Sequence, residues 1–146
     1  MADIKEISEH SARLLQIHRE ITDFYSNYAK SVGLTFSSMS VLAIIWEEKE
    51  KGCNQRDITL KTYLPKQTVN AIIKSFKEQE IIEPPVESNS DKRNKVINFT
   101  EKGRAFADKV MTRIKEAEYN SLEKLGDEKR KNLIETIELF KKNLEV

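Results

Sequence analysis

The sequence is poor in the residues that staple, break or anchor a chain. It holds one cysteine, three prolines, four glycines and one tryptophan among 146 residues. A lone cysteine, Cys53, excludes an internal disulfide, and no Cys/His cluster has zinc spacing. So little proline and glycine argues against long structureless segments, and no low-complexity run or internal repeat is present. Long apolar runs are missing too, since residues 41–46, the longest, fall far short of a membrane span. The opening Met1-Ala2-Asp3-Ile4-Lys5 lacks the apolar core of a secretory signal. A charge excess of either sign is also absent, with 25 basic residues against 24 acidic and a net charge of +1. Any nucleic-acid footprint must therefore come from local segregation of charge. No nucleophile–base pair, carboxylate pair or phosphate-cradling glycine loop is visible, so no enzymatic chemistry is expected. The expectation is a cytoplasmic protein with no membrane partner and no cofactor.

What is present is helical periodicity. Ile4, Ile7, Ser11, Leu14, His18, Ile21, Tyr25, Tyr28 and Val32 recur at alternating steps of three and four, a heptad-like stripe that breaks near Gly33. Such a helix cannot cover its own stripe and needs others, including those of a second chain. Thr35 is placed to cap the next helix, with Leu34 and Met39 forming a hydrophobic staple across it. That helix, apolar nearly all round through Val41, Leu42, Ile44, Ile45 and Trp46 until Lys51-Gly52, belongs at the centre of the fold.

Asn54 can cap a short helix carrying Ile58 and Leu60 and ending around Tyr63-Leu64. Pro65 is tolerated in the first turn of the following helix, where an N–H has no helical partner. Val69, Ile72, Ile73 and Phe76 then recur at i, i+3, i+4 and i+7, a buried face. The opposite side carries Gln67, Ala71 and Lys74, flanked by Lys66, Thr68 and Asn70. Two short helices with a tight turn, the second polar outside, predict a helix-turn-helix. Residues 81–87 read as an edge strand limited by Pro84-Pro85, and residues 95–99 as its return, with Ile97 and Phe99 on one face. Between them Ser88-Asn89-Ser90-Asp91-Lys92-Arg93-Asn94 has turn chemistry, so the hairpin at 88–95 predicts a basic wing. Thr100 caps a long helix from Glu101 to about Leu122 whose stripe includes Phe106, Val110, Ile114 and Ala117. Gly126-Asp127 recaps the chain, and Leu133, Ile137, Phe140 and Leu144 mark a last helix.

The expected fold is mainly α with a small β-wing. A winged helix-turn-helix lobe at 35–100 is flanked by long N- and C-terminal helices, 1–34 and 101–146, forming a dimer interface. Lys61, Lys66, Lys74 and Lys77 lie in a stretch without Asp or Glu, a local +4 suited to phosphates. An ordinary solvated helix face is the plainer alternative for these lysines, and a solvated charged turn for the wing, which only its position after a helix-turn-helix sets apart. Gln67, Thr68 and Asn70 are the candidates for base edges: the amides can pair bidentately with adenine, and Thr can meet a thymine methyl. Lys66 and Lys74 suit phosphates, as do Ser37 and Ser38 in a first helical turn with free N–H groups. Arg93 suits a narrow minor groove, and Lys92 and Lys95 suit phosphates beside it.

Asp91-Lys92-Arg93, five residues, then Phe99-Thr100-Glu101-Lys102-Gly103 resembles the pattern D-x-R-x5-L-T-x-x-G of the multiple antibiotic resistance regulator (MarR) family of bacterial transcription factors. Leu34-Thr35 and Leu64-Pro65-Lys66-Gln67-Thr68-Val69-Asn70 resemble the same family in order and spacing. The sequence departs at Phe99, where the pattern prefers Leu, and at Glu80, where many members place Gly as a left-handed cap. The resemblance implies a homodimer on double-stranded DNA, usually a repressor, at a pseudopalindromic operator. It also implies that Asp91 orients Arg93 through a salt bridge, and that a small aromatic effector binds between the dimer helices and the lobe.

Two other readings stay open. One is a winged-helix protein-interaction module without DNA binding, against which the basic helix face and Arg93 argue. The other is a redox-responsive regulator using Cys53, although oxidation-sensing relatives carry their cysteine in the first helix and an inert small residue is the simpler account. His10 and His18 lie eight apart on one helix, and His18 falls on the apolar stripe, so a packed or pocket-lining imidazole is expected rather than a metal ligand. Tyr25, Tyr28 and Trp46 read as core aromatics rather than a ligand cage.

Overall fold

Short polar side chains start most of the helices by taking up a free backbone N–H. In the computed structural model, which describes residues 3–84 and 95–146, the chain is mainly helical. Helix α1 (Ile4–Ser31) begins at Asp3, whose carboxylate accepts the Lys5 N–H at 3.1 Å. It ends before Gly33, which turns the chain at φ 79. Thr35 caps α2 (Phe36–Glu47) by accepting the Ser38 N–H at 3.0 Å. This helix stops short of the expected Lys51-Gly52 break, because Glu48 already leaves helical geometry and its N–H closes back on Ile44 and Trp46. Met39, Val41, Leu42 and Ile45 are buried, as expected of a central helix.

A reciprocal cap starts α3 (Gln55–Thr62): Asn54 accepts the Asp57 N–H at 2.8 Å while the Asp57 carboxylate accepts the Asn54 N–H at 3.2 Å. Tyr63 ends it in the left-handed region, φ 58. Pro65 is the cap residue of α4 (Lys66–Glu78), one position before the helix rather than inside its first turn. Val69, Ile72, Ile73 and Phe76 are all buried, so the spacing identified this face correctly.

The end of α4 explains how the chain manages without glycine at position 80. Glu80 adopts φ 60; its N–H bonds to the Lys77 carbonyl at 3.1 Å and the Ile81 N–H to the Phe76 carbonyl at 2.9 Å. This is a Schellman closure with a glutamate where glycine carries no Cβ penalty. Glu80→Gly should therefore stabilise the fold by about 1 kcal/mol, raising the melting temperature by about 2–4 °C. An unchanged or lower melting temperature by circular dichroism would show that the left-handed glutamate is not strained.

Beyond α4 the described residues contain two isolated antiparallel bridges and no strand: Ile82 with Phe99, and Cys53 with Ile97. The wing expected at 88–95 falls mostly on residues outside those described. The second bridge was not anticipated. Ile97 is buried and donates its N–H to the Cys53 carbonyl at 2.7 Å, so the segment before α3 pairs with the return segment. Gly52, at φ 78, permits this, since a Cβ there would lie 2.5 Å from Val96 Cγ1.

Thr100 caps α5 (Glu101–Leu125), accepting the Gly103 N–H at 2.9 Å. Its hydroxyl donates to the Glu80 carbonyl at 2.5 Å, and its own N–H donates to the Ile81 carbonyl at 3.1 Å. Gly103 then passes so close to Ile81 that a Cβ would stand 1.7 Å from the Ile81 carbonyl oxygen. Gly103, Ala107, Val110, Met111 and Ile114 are buried along this helix. The expected stripe is corrected accordingly: Val110 and Ile114 are buried, but Phe106 and Ala117 are only half-buried.

The chain divides into two compact units, residues 1–107 and 108–146. In the first, α1 buries only Ala29 and leaves Ile4, Ile7, Leu14, Leu15 and Ile21 exposed. In the second, α6 (Asp127–Asn143) buries nothing, and Leu133, Ile134, Ile137 and Phe140 are exposed. Among the described residues no single helix is long and apolar enough to cross a membrane.

Candidate nucleic-acid interface

The buried face of α4 dictates what its other side shows. With Val69, Ile72, Ile73 and Phe76 inside, Lys66, Gln67, Asn70, Ala71, Lys74 and Lys77 are exposed on the outer side. Thr68 is half-buried at the edge of that face. Gln67 and Asn70, one turn apart, and Lys74, four residues on, follow the spacing of side chains that share a helical face.

The local basic excess is smaller than its composition suggests. Lys61 is engaged by Glu48 at 2.6 Å, leaving three of the four lysines for the outer surface. The hydrogen bond, with its charge attraction, holds Glu48 below its ordinary pKa and Lys61 above its own. Sequence could not separate Lys61 from the other three, because its partner lies thirteen residues back, just past the end of α2.

Gln55 was missed by the sequence reading. From the first turn of α3 its side-chain amide donates to Asn70 Oδ1, so the two helices of the motif meet through an amide pair. Asn70 keeps both N–H donors and one oxygen lone pair clear of this bond. The only sequence signal was a second amide residue near the start of the first helix of the motif.

Ser37 and Ser38 are half-buried in the first turn of α2. Ser38 Oγ already accepts a hydrogen bond from the Thr35 hydroxyl at 2.9 Å. Lys95 is half-buried at the start of the return segment. Asp91, Lys92 and Arg93 lie outside the described residues.

Cys53 is 4% exposed. Desolvation, then the Asp57 and Glu48 carboxylates, push its thiol up to about 11. A buried thiol held that high offers little thiolate at neutral pH. In the folded protein Cys53 should resist an aromatic disulfide reagent at pH 7.5 and react fully once unfolded in guanidinium. Rapid stoichiometric labelling of the native protein would restore the redox reading.

His10 and His18 are exposed on α1, so His18 is not packed within a single chain. Among the described residues no group of three metal-ligating side chains occurs. Tyr25 meets Phe24 edge-on at 5.6 Å and Phe36 at 6.5 Å, an aromatic cluster between α1 and α2. Lys49 stands 4.0 Å over the Trp46 ring.

Solved structures share this architecture. A MarR family regulator from Neisseria meningitidis is similar with a TM-score of 0.74 at 24% identity, covering 90% of each chain. The Staphylococcus aureus regulator MepR in its DNA-binding conformation is similar with a TM-score of 0.77 at 18% identity, over 93% of this chain and 98% of that one. The MepR–DNA complex gives 0.76 at 17% identity over the same shares.

Residues 32–94 match the model of the MarR family. The HTH-type transcriptional regulator SarZ of Staphylococcus epidermidis is 28% identical over 122 residues, 84% of this chain and 79% of SarZ. The chain is thus similar to the MarR family through residues 32–94, and to the transcriptional regulator SarZ over most of its length.

Proposed function

We propose that this chain is a sequence-specific, effector-responsive repressor that binds a pseudopalindromic operator as a homodimer in the cytoplasm. The observation that carries the DNA reading is the outer face of α4, where amides and lysines are exposed opposite a fully apolar inner face. Gln67, Thr68 and Asn70 read base edges in the major groove, Gln55 holding the Asn70 amide. Lys66 and Lys74 take phosphates, with Ser37 and Ser38 at the first turn of α2. The β-wing at 88–95 places Arg93 in the adjacent minor groove, oriented by Asp91, while Lys92 and Lys95 hold its phosphates.

The dimer rests on the apolar residues of α1 and of α6, which are exposed among the described residues. Residues 1–34 and 101–146 form the dimerisation region, and residues 35–100 the DNA-binding lobe. Two copies of α4 then enter successive major grooves about one helical turn apart. For the small aromatic effector, a cavity of about 450 Å³ is lined by Val32, Leu34, Gln79, Ile81 and Phe106, with Lys102 as a cation for an acidic group. An effector acts there by binding one spacing of the two lobes better than the other.

Titration against a palindromic promoter duplex at several salt concentrations tests the reading. Binding should weaken steeply with salt as lysines release phosphate counterions. Arg93→Ala should cost about 1–3 kcal/mol of affinity, roughly five- to 150-fold. A flat salt dependence together with unchanged affinity on loss of Arg93 would favour a protein-interaction module instead.

A further inference from the structure

Tyr63 is the most conspicuous side chain that the proposed interface leaves unused. It sits in the turn between α3 and α4, two residues before the Pro65 cap of the recognition helix. Its side chain is 92% exposed, and its backbone is left-handed at φ 58, held by the Tyr63 N–H bond to the Thr59 carbonyl at 3.1 Å. Left-handed geometry is costly for a bulky residue and natural for Gly or Asn. The fold gains nothing from the ring in exchange, since almost none of its surface is covered.

Leu60, three residues earlier, is also exposed, at 62%, so a small apolar ridge runs up to the recognition helix. A strained backbone presenting an uncovered aromatic ring is a pattern found where a side chain serves a contact absent from the isolated protein. The ridge is continuous in the chain with Lys66 and Gln67, which commits it to the occupant of that face rather than to a separate partner.

We propose that Tyr63 is a DNA-backbone contact residue. Its ring lies on a deoxyribose beside the major groove entered by α4, Leu60 supports the same strand, and the phenolic O–H donates to a phosphate oxygen. The contact is neutral and made to the backbone, so it adds affinity without choosing sequence and without releasing a counterion. This inference rests on the DNA-binding reading above.

The test compares wild type, Tyr63→Asn, Tyr63→Phe and Lys66→Ala on a random-sequence duplex pool, at several low salt concentrations. Tyr63→Asn should raise the melting temperature, because Asn tolerates the left-handed region, yet weaken duplex binding about tenfold at every salt concentration. Its salt slope should match that of wild type. Tyr63→Phe keeps the ring and loses the hydroxyl, and should weaken binding by about threefold. Lys66→Ala should lower the salt slope by about 1. Tyr63→Asn binding as tightly as wild type, while Lys66→Ala behaves as stated, would overturn the Tyr63 contact and leave the DNA reading standing. A changed salt slope for Tyr63→Asn would also overturn it. Wild type that fails to bind the pool at low salt would overturn both.

Discussion

Gly103→Ala is expected to lower the melting temperature by about 6–12 °C, from a loss of about 3 kcal/mol. The added Cβ would sit 1.7 Å from the Ile81 carbonyl oxygen, with the Ile81 carbonyl carbon at 2.5 Å and Cα at 2.8 Å. Those are backbone atoms and cannot swing aside as a side-chain tip would. Relief requires α5 to withdraw from Ile81, and withdrawal stretches the Thr100 bonds to Glu80 and Ile81 that fix where the helix begins. The helix-propensity gain of Ala over Gly, about 1 kcal/mol, is the opposing effect and is smaller. Thermal unfolding by circular dichroism measures the balance, with the exposed Ala105→Ser on the same helix as a control near zero. A melting temperature for Gly103→Ala within a degree of wild type would refute the close approach.

Ile137→Glu combined with Phe140→Glu is expected to convert the protein from dimer to monomer while leaving its helix content nearly intact. Both side chains are about half exposed in the single chain, at 51% and 47%, on a helix that buries no residue. Charges there cost a single chain little, whereas two charges per copy in a shared apolar interface would stay desolvated and unpaired. Light scattering should report half the wild-type mass at micromolar concentration. Affinity for a duplex carrying two half-sites should fall about a hundredfold or more, because each lobe then binds alone. Wild type that scatters as a monomer, or a variant that remains dimeric, would remove α6 from the interface.

The helices were legible because each is written in local chemistry. Asn54 with Asp57, Thr35 before Phe36, and the Val69–Ile72–Ile73–Phe76 series all act within a few residues of themselves. The wing signature proved informative for a physical reason on its described side. Thr100 is needed as cap and tether, and Gly103 because nothing larger fits against Ile81. Departures from expectation arose from contacts between residues distant in sequence. The Lys61–Glu48 pair, the Gln55–Asn70 amide pair and the Cys53–Ile97 bridge each join segments whose separation no local pattern encodes. The α5 stripe was misplaced for a related reason. Hydrophobicity favoured Phe106, but Gly103 and Ala107 are the residues buried beside it.

The Cys53–Ile97 bridge has a consequence for the order in which the chain acquires structure during synthesis. The helices from α2 to α4 leave the ribosome before Ile97 does, so the Cys53 carbonyl just before α3 gains its bridge partner only when Ile97 arrives. Thr100 and Gly103 then fasten the far end of α4 through Glu80 and Ile81. A nascent chain halted before Ile97 would hold short helices of marginal independent stability. The helix-turn-helix therefore becomes one rigid piece late, and a chain truncated before Ile97 should be cleared by proteases rather than persist as a folded fragment.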